Sequence, residues 1–270
     1  MLLQKAESGH PLDASGASAT PATPRDSGSR SPGRWVLQIG GELLVTAGVV
    51  LLLFAAWELW WTNVDADSRQ QAAVAEFARS LDGPAAPPAS AAPPSPGPPL
   101  VADEPAPGST IGVVYIPRFG ATYTRPLVQG TTTAVLDSLG LGHYEGTAMP
   151  GGVGNVALAG HRQTHGAVLD AIDSLVPGDR IYIQTRDGYY TYVFRNSQIV
   201  LPTAVDVLLP VPTRPGVAPQ DRYLTLTSCN PRFGSQERFV AYSTMEGWQP
   251  ASAGPPAEIA AQVARTREGS

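Results

Sequence analysis

The 270-residue chain contains one cysteine, Cys229, and one lysine, Lys5. A single cysteine excludes any internal disulfide, so whatever folds here folds on its packing alone. The formal net charge is -5, and no Lys/Arg cluster appears in the part expected to fold. That argues against a nucleic-acid-binding surface, which needs a concentrated positive field. No internal repeat is visible, which argues against a solenoid or propeller. The basic residues are almost all arginine, and with abundant Ala, Gly and Pro this points to a GC-rich coding sequence.

Composition divides the chain. Residues 1–33 are rich in Ser, Ala, Gly and Pro without an apolar period and read as a disordered tail. Residues 35–61 hold the run from Leu43 to Trp57, preceded by Trp35 to Gly41, and so reach the ~20 residues that a spanning helix needs. Glu42 interrupts this stretch and Glu58 lies at its far end, while Trp57, Trp60 and Trp61 resemble an interfacial aromatic belt. Arg25, Arg30 and Arg34 precede it, and Asp65 and Asp67 follow. This bias places the N-terminus in the cytoplasm and the remainder outside. A cleaved signal peptide is the rival reading, but the apolar stretch is long, begins late and lacks a small-x-small cleavage site. Residues 62–81 have helical character, with Val64, Val74, Phe77 and Leu81 near one stripe, and suit a juxtamembrane stalk. Residues 82–110 form a Pro/Ala/Ser/Gly tract expected to be an extended spacer. Residues 111–250 are long enough for one domain with its own core, and 251–270 read as a tail.

Within 111–250 the pattern is of short alternating runs cut by Gly and Pro. Strands are expected at 111–117, 155–161, 180–185, 189–194, 198–201, 223–229 and 238–242, with a hairpin at Arg186-Asp187-Gly188. A short helix over 132–139 is stopped by Gly140, and Val168, Leu169, Ile172 and Leu175 mark a second one. Many short strands with few helices favour a closed or nearly closed β-barrel.

The candidate chemistry begins at Cys229. In the strand 223–229, Leu224, Leu226 and Ser228 share one face, and Tyr223, Thr225, Thr227 and Cys229 share the other. The leucines suit the core, which leaves the thiol on the more polar face at the strand end. A nucleophilic thiolate needs such partial exposure, although a free cysteine can equally be a small buried hydrophobe. An unpaired thiol in an exported domain is reactive or bonded to another chain. His161 ends another strand, and His143 and His165 are the other histidines of the domain. An imidazole can serve as acid and base near neutral pH, or simply be a hydrogen-bonded structural residue. Arg238 opens the strand after Cys229 and could donate to an oxyanion, or be solvated.

Three segments taken together carry a resemblance: Asn155-Val156-Ala157-Leu158-Ala159-Gly160-His161-Arg162, Leu224-Thr225-Leu226-Thr227-Ser228-Cys229-Asn230-Pro231, and Arg238-Phe239-Val240. The chain resembles the sortases, cysteine transpeptidases anchored in Gram-positive membranes, over about 111–245. The run from Ala159 through His165 to Ala167 and the segment Gly142-His143-Tyr144 are similar to the actinobacterial class E members. The resemblance implies an eight-stranded β-barrel with a few short helices. It implies Cys229 as nucleophile, His161 as acid/base and Arg238 as oxyanion or substrate-positioning donor, with Arg222 and Arg232 as less well placed alternatives. It also implies cleavage of a sorting signal of LPxTG type after its Thr and transfer to an amine of a cell-wall precursor. Class E is associated with LAxTG, a preference linked to a tyrosine that Tyr144 matches, with its phenol donating to substrate backbone. His143 and Thr227 are further substrate-binding candidates. No cofactor or metal is implied, since Asp170, Asp173 and Glu145 are scattered and read as solvated.

Two other readings compete. An L,D-transpeptidase-like enzyme would place its His and Cys close together with an Arg directly after the Cys, whereas Asn230 follows Cys229 and His161 lies far upstream. A catalytically inactive barrel that binds wall proteins would have no need of Cys, His and Arg together. The expected topology is testable. Protease added to intact protoplasts should digest the 111–250 domain and spare residues 1–33. A protected domain would contradict the orientation read from Arg25, Arg30 and Arg34.

Overall fold

The computed structural model describes residues 32–81 and 97–268. The expected tail over 1–31 and the first part of the spacer, 82–96, lie outside the described residues, as do Arg25 and Arg30. The chain divides into two units, 1–52 and 53–270.

The first described element, α1 (Pro32–Ser80), is one unbroken helix. It contains the expected apolar stretch, whose side chains from Leu43 to Phe54 are exposed. By length and composition it is a candidate membrane span. There is no break between span and stalk, because no Gly or Pro interrupts 49–80. Val74 and Phe77 are buried as the stripe predicts, but Val64 is exposed, and the inward face is completed by Ala66 and Gln70.

The second unit is a closed barrel in the order β1-β2-β3-β4-β7-β8-β6-β5. Its strands are β1 (Thr110–Tyr115), β2 (Thr124–Gln129), β3 (Leu141–His143), β4 (Gly154–Ala159), β5 (Arg180–Gln184), β6 (Gly188–Val200), β7 (Arg222–Asn230) and β8 (Glu237–Pro250). Period-2 alternation puts Val156, Leu158, Ile181, Ile183, Leu224 and Leu226 into a core shared with Tyr190 and Tyr192. Burial of such side chains at ~25 cal/mol per Å² supplies the main driving force.

Several differences from the sequence reading have physical causes. The runs at 189–194 and 198–201 are one strand, β6, because β8 pairs along its whole length with register shifts that absorb Arg195. β2 contains Pro126, which cannot donate to a ladder and so disguises the strand. β3 is too short to show a period. The helix α2 (Thr133–Leu139) forms as expected, capped by Thr132, whose Oγ1 accepts from the Val135 amide at 3.4 Å. The second expected helix is not α-helical: Val168, Leu169, Ile172 and Leu175 are buried, yet only Ile172–Ser174 forms a 3-10 turn. His165 and Ala167 just before it take left-handed φ angles of 54° and 44°, so no α-helix extends back from it.

Parts of the expected spacer and of the C-terminal tail pack on the barrel. Residues 97–109 strap the barrel: the Trp248 indole donates to the Gly97 carbonyl at 2.9 Å and the Tyr190 hydroxyl to the Leu100 carbonyl at 2.6 Å. The tail forms α3 (Ala260–Glu268), and its Val263 joins Ile259, Val74, Phe77, Val113, Tyr115, Tyr182 and Tyr189 in a second apolar cluster. That cluster joins the outer face of the barrel to the second half of α1.

Candidate active site

β4 and β7 run parallel and adjacent, with Ala157 opposite Thr225 and Ala159 opposite Thr227. Pairing continues through Gly160, whose amide donates to the Thr227 carbonyl at 3.1 Å. Carried on by two residues, this register brings His161 beside Cys229. On the other side of β7, the antiparallel strand β8 sets Arg238 directly opposite Cys229. Directly opposed residues share a face with Cβ atoms about 4.5–5.5 Å apart. Three neighbouring strands thus deliver the thiol, the imidazole and the guanidinium to one end of the barrel. Cys229 is part-buried with a free thiol, and Leu224 and Leu226 face inward as the alternation predicts.

The residue before His161, Gly160, leaves room for side chains of β3 and of the segment after His161 to pack against it. A Cβ there would lie 2.6 Å from Val168 Cγ2 and 2.9 Å from Leu141 Cδ2. Ser228 reinforces the junction, its hydroxyl donating to the Gly160 carbonyl at 2.8 Å. Arg162 does the same from below. Its side chain is only 3% exposed, and it donates to Asn230 Oδ1 at 2.7 Å, to Asp173 Oδ2 at 2.6 Å and to the Cys229 carbonyl at 3.4 Å. Its guanidinium also lies over the Phe239 ring. Asn230 in turn donates to Glu237 Oε2 at 2.8 Å. The residue after the histidine is therefore tied to the strand ends that carry the cysteine and the arginine.

His161 Nε2 lies 2.7 Å from Asp137 Oδ1 on α2. His165 Nδ1 is 3.7 Å from the same oxygen, and the two imidazoles lie 5.1 Å apart. Nothing in the spacing of Asp137 and His161, 24 residues apart, signals this contact. One ligand atom from each of Asp137, His161 and His165 lies within 4.8 Å of the others. Two imidazoles and a carboxylate are donors that suit a divalent transition metal, though such an ion would compete for the His161 nitrogen. Asp170 and Asp173 are not simply solvated: Asp170 accepts from Arg232 at 2.7 Å and Asp173 from Arg162.

The arginines separate by position. Arg238 is part-buried beside Cys229, with Nη1 donating to the Ser235 and Glu237 carbonyls at 3.0 and 2.9 Å. Arg222 begins β7, at the strand end remote from Cys229, and donates to the Gly151 carbonyl at 2.7 Å. Arg232 is held on Asp170.

Tyr144 and Thr227 meet, with their hydroxyl oxygens 3.1 Å apart. Thr227 Oγ1 is also 3.2 Å from the Leu158 carbonyl; when Thr227 donates there, the phenol donates to Thr227 and its oxygen keeps acceptor capacity. His143 is fully buried. Its Nδ1 lies 2.9 Å from Gln129 Oε1, and its Nε2 3.0 Å from both the Ala148 carbonyl and Thr147 Oγ1. Gln129 donates to Glu104 at 2.5 Å. Such a residue has no surface to offer a peptide; it braces the turn that carries Tyr144.

With the geometry in place, three comparisons bear on the family. A family model described as the Sortase domain matches residues 114–246. Sortase SrtE2 of Streptomyces coelicolor is 32% identical over 241 residues, covering 81% of this chain and 86% of that protein. The chain belongs to the sortase family. Sortase SrtE1 of the same organism is 34% identical over 241 residues; the alignment covers 86% of this chain and 64% of that protein's length. A crystal structure of Sortase E1 from Streptomyces coelicolor with a tripeptide in the active site is 38% identical with a TM-score of 0.53, covering 57% of this chain and 98% of that one. These E-type relatives agree with the class read from the Gly142-His143-Tyr144 and Ala159–Ala167 segments.

The buried His143 gives a pH-dependent stability. Burial holds its imidazole below the ordinary value of 6.5, outweighing the Ala148 carbonyl and the Glu104 charge, which both raise it. The unfolded chain therefore binds the proton at higher pH than the folded one. The stabilisation is complete above the ordinary value and is lost as pH falls through the lowered one. In thermal melts, the gap in Tm between the unaltered chain and His143→Gln should narrow from pH 7.5 to pH 5. A gap that widens would contradict this.

Proposed function

We propose that this chain is a membrane-anchored cysteine transpeptidase that cleaves a sorting signal of LAxTG or LPxTG type between Thr and Gly and transfers the new carboxyl end to an amine of a cell-wall precursor. The observation that carries the proposal is the cross-strand pairing of Cys229 with Arg238, next to β4, which ends two residues before His161. In this reading the Cys229 thiolate attacks the Thr carbonyl carbon, and Arg238 donates to the oxygen on which negative charge develops. Collapse breaks the C–N bond, His161 protonates the departing Gly amine, and a thioester remains. An incoming amine then attacks the thioester carbon, gives a proton to His161 and expels the Cys229 thiolate. Asp137, bonded to His161, orients the ring between the two steps. The substrates would be secreted proteins bearing the signal near their C-terminus. The membrane would be held through the apolar part of α1, with the N-terminus cytoplasmic and the barrel outside.

The experiment is transpeptidation of LAxTG and LPxTG peptides with an amine, followed by mass. Cys229→Ala should abolish product while leaving the fold intact. His161→Ala should cost ~10²–10⁴-fold and Arg238→Ala ~10²–10³-fold, while His143→Ala and His165→Ala keep more activity. Turnover by Cys229→Ala, or an unaffected Arg238→Ala, would refute these roles.

Tyr144 gives a specificity prediction. An alanyl residue at the second position brings a backbone N–H that proline lacks, and the phenol oxygen left open by the Thr227 bond is an acceptor for it. Leaving that group unpaired is worth roughly 1–3 kcal/mol, or about 5- to 150-fold. Tyr144→Phe should lower the LAxTG to LPxTG rate ratio; an unchanged ratio removes the hydroxyl from the choice of substrate.

A further inference from the structure

We propose that residues 63–70 of α1, just past the apolar stretch, are part of the catalytic apparatus: they clamp the turn behind His161 and so position its imidazole. This rests on the transpeptidase reading above. One face of the helix carries the contacts, at the i, i+3/i+4 spacing of Asn63, Asp67 and Gln70. Asn63 grips the turn twice, its Nδ2 donating to the Gln163 carbonyl at 3.2 Å and its Oδ1 accepting from the Gly166 amide at 2.8 Å. Gln70 is fully buried and donates to the His165 carbonyl at 3.1 Å. Gly166, at φ 85°, is required for this contact, since a Cβ there would lie 2.6 Å from the Gln70 amide nitrogen. Beside them, Arg69 donates to Ser138 on α2 at 3.4 Å, one residue from Asp137. Asp67 pairs with Arg125 of β2 at 3.1 Å.

The turn that these residues hold needs holding. His165 and Ala167 are non-glycine residues with positive φ, a conformation that persists only where the surroundings impose it. The turn begins two residues after His161, and the His161 carbonyl accepts from the Leu169 amide at 2.9 Å across its base. The contacts of Asn63 and Gln70 to this turn are to its backbone, at Gln163, His165 and Gly166. They are therefore positioning residues, and α1 has a task beyond attachment.

The test uses the full chain in detergent micelles or nanodiscs, comparing the unaltered protein with Asn63→Ala, Asn63→Asp, the pair Asn63→Ala/Gln70→Ala and, on the exposed face, Glu76→Ala. Misplacement of a catalytic group by about 1 Å can cost ~10²-fold, so the pair should lower kcat about 10- to 100-fold with KM within about twofold. Asn63→Asp, which keeps the bond to the Gly166 amide, should fall between, and Glu76→Ala should match the unaltered chain. Independently of any peptide, amide hydrogen exchange over 161–170 should quicken about tenfold in the pair while β4 and β7 stay protected. Unchanged exchange over 161–170 overturns the clamp, whatever the peptide assay reads. Faster exchange with an unchanged kcat overturns its part in catalysis. If the pair does not fold, Asn63→Ala, at a part-exposed position, is read by the same criteria. Absence of Cys229-dependent turnover in the unaltered chain refutes the transpeptidase reading and leaves the exchange result to decide the clamp.

Discussion

The parallel pairing of β4 with β7 is the constraint on which the rest depends. The paired residues lie 68 positions apart, as in Gly154 with Arg222 and Ala159 with Thr227. No local turn can make such a pair, and a parallel pair of this kind needs a crossover. Here the crossover contains β5, β6 and the loop to β7, and both strands of the crossover belong to the same closed barrel. Once they meet, register fixes the site. Six ladder positions set His161 and Cys229 at a common end, and β8 adds Arg238 by one further antiparallel pairing. A one-residue slip of β7 would turn the thiol to the opposite face.

Around that junction a buried charge is satisfied through its two terminal nitrogens, while its Nε has no partner. The Arg162 guanidinium is almost wholly buried and would be costly alone. It is divided among Asn230, Asp173 and the Cys229 carbonyl. Its neighbour His161 meets Asp137 from α2, and the turn that follows is gripped by α1. Three separate parts of the chain thus converge on one short segment, 160–166. The helix that contains the candidate span is one of them.

Much of this was legible in the sequence, because two periods carry it. Alternation in 223–229 gave the direction of Leu224, Leu226 and Cys229, and the stripe of Val74 and Phe77 gave the inward face of α1. Thr132 and Gly140 bounded α2 by capping chemistry. What could not be read depends on contacts between distant residues. Asp137 reaches His161, Gln70 reaches His165, and Glu104 reaches Gln129 and through it His143 only once the barrel exists. β2 was hidden by Pro126, and β3 by its length. The stretch 168–175 has helical spacing, but apolar residues that share a period can be buried without a helix, and only Ile172–Ser174 forms a 3-10 turn. The helix in the tail has little signal in the sequence, because α3 draws its burial from the barrel and α1 rather than from a strong period of its own.

The central claim is that the junction of β4, β7 and β8 makes Cys229 an acylated nucleophile. The most direct measurement is the mass of the intermediate. The chain is mixed with an excess of LAxTG peptide without added amine, quenched in acid within the first turnovers, digested and mapped. The account predicts an adduct of the peptide up to and including its Thr, on the fragment containing Cys229, discharged by hydroxylamine as a thioester is. Product formation without that adduct, or an adduct on any other residue, would contradict it.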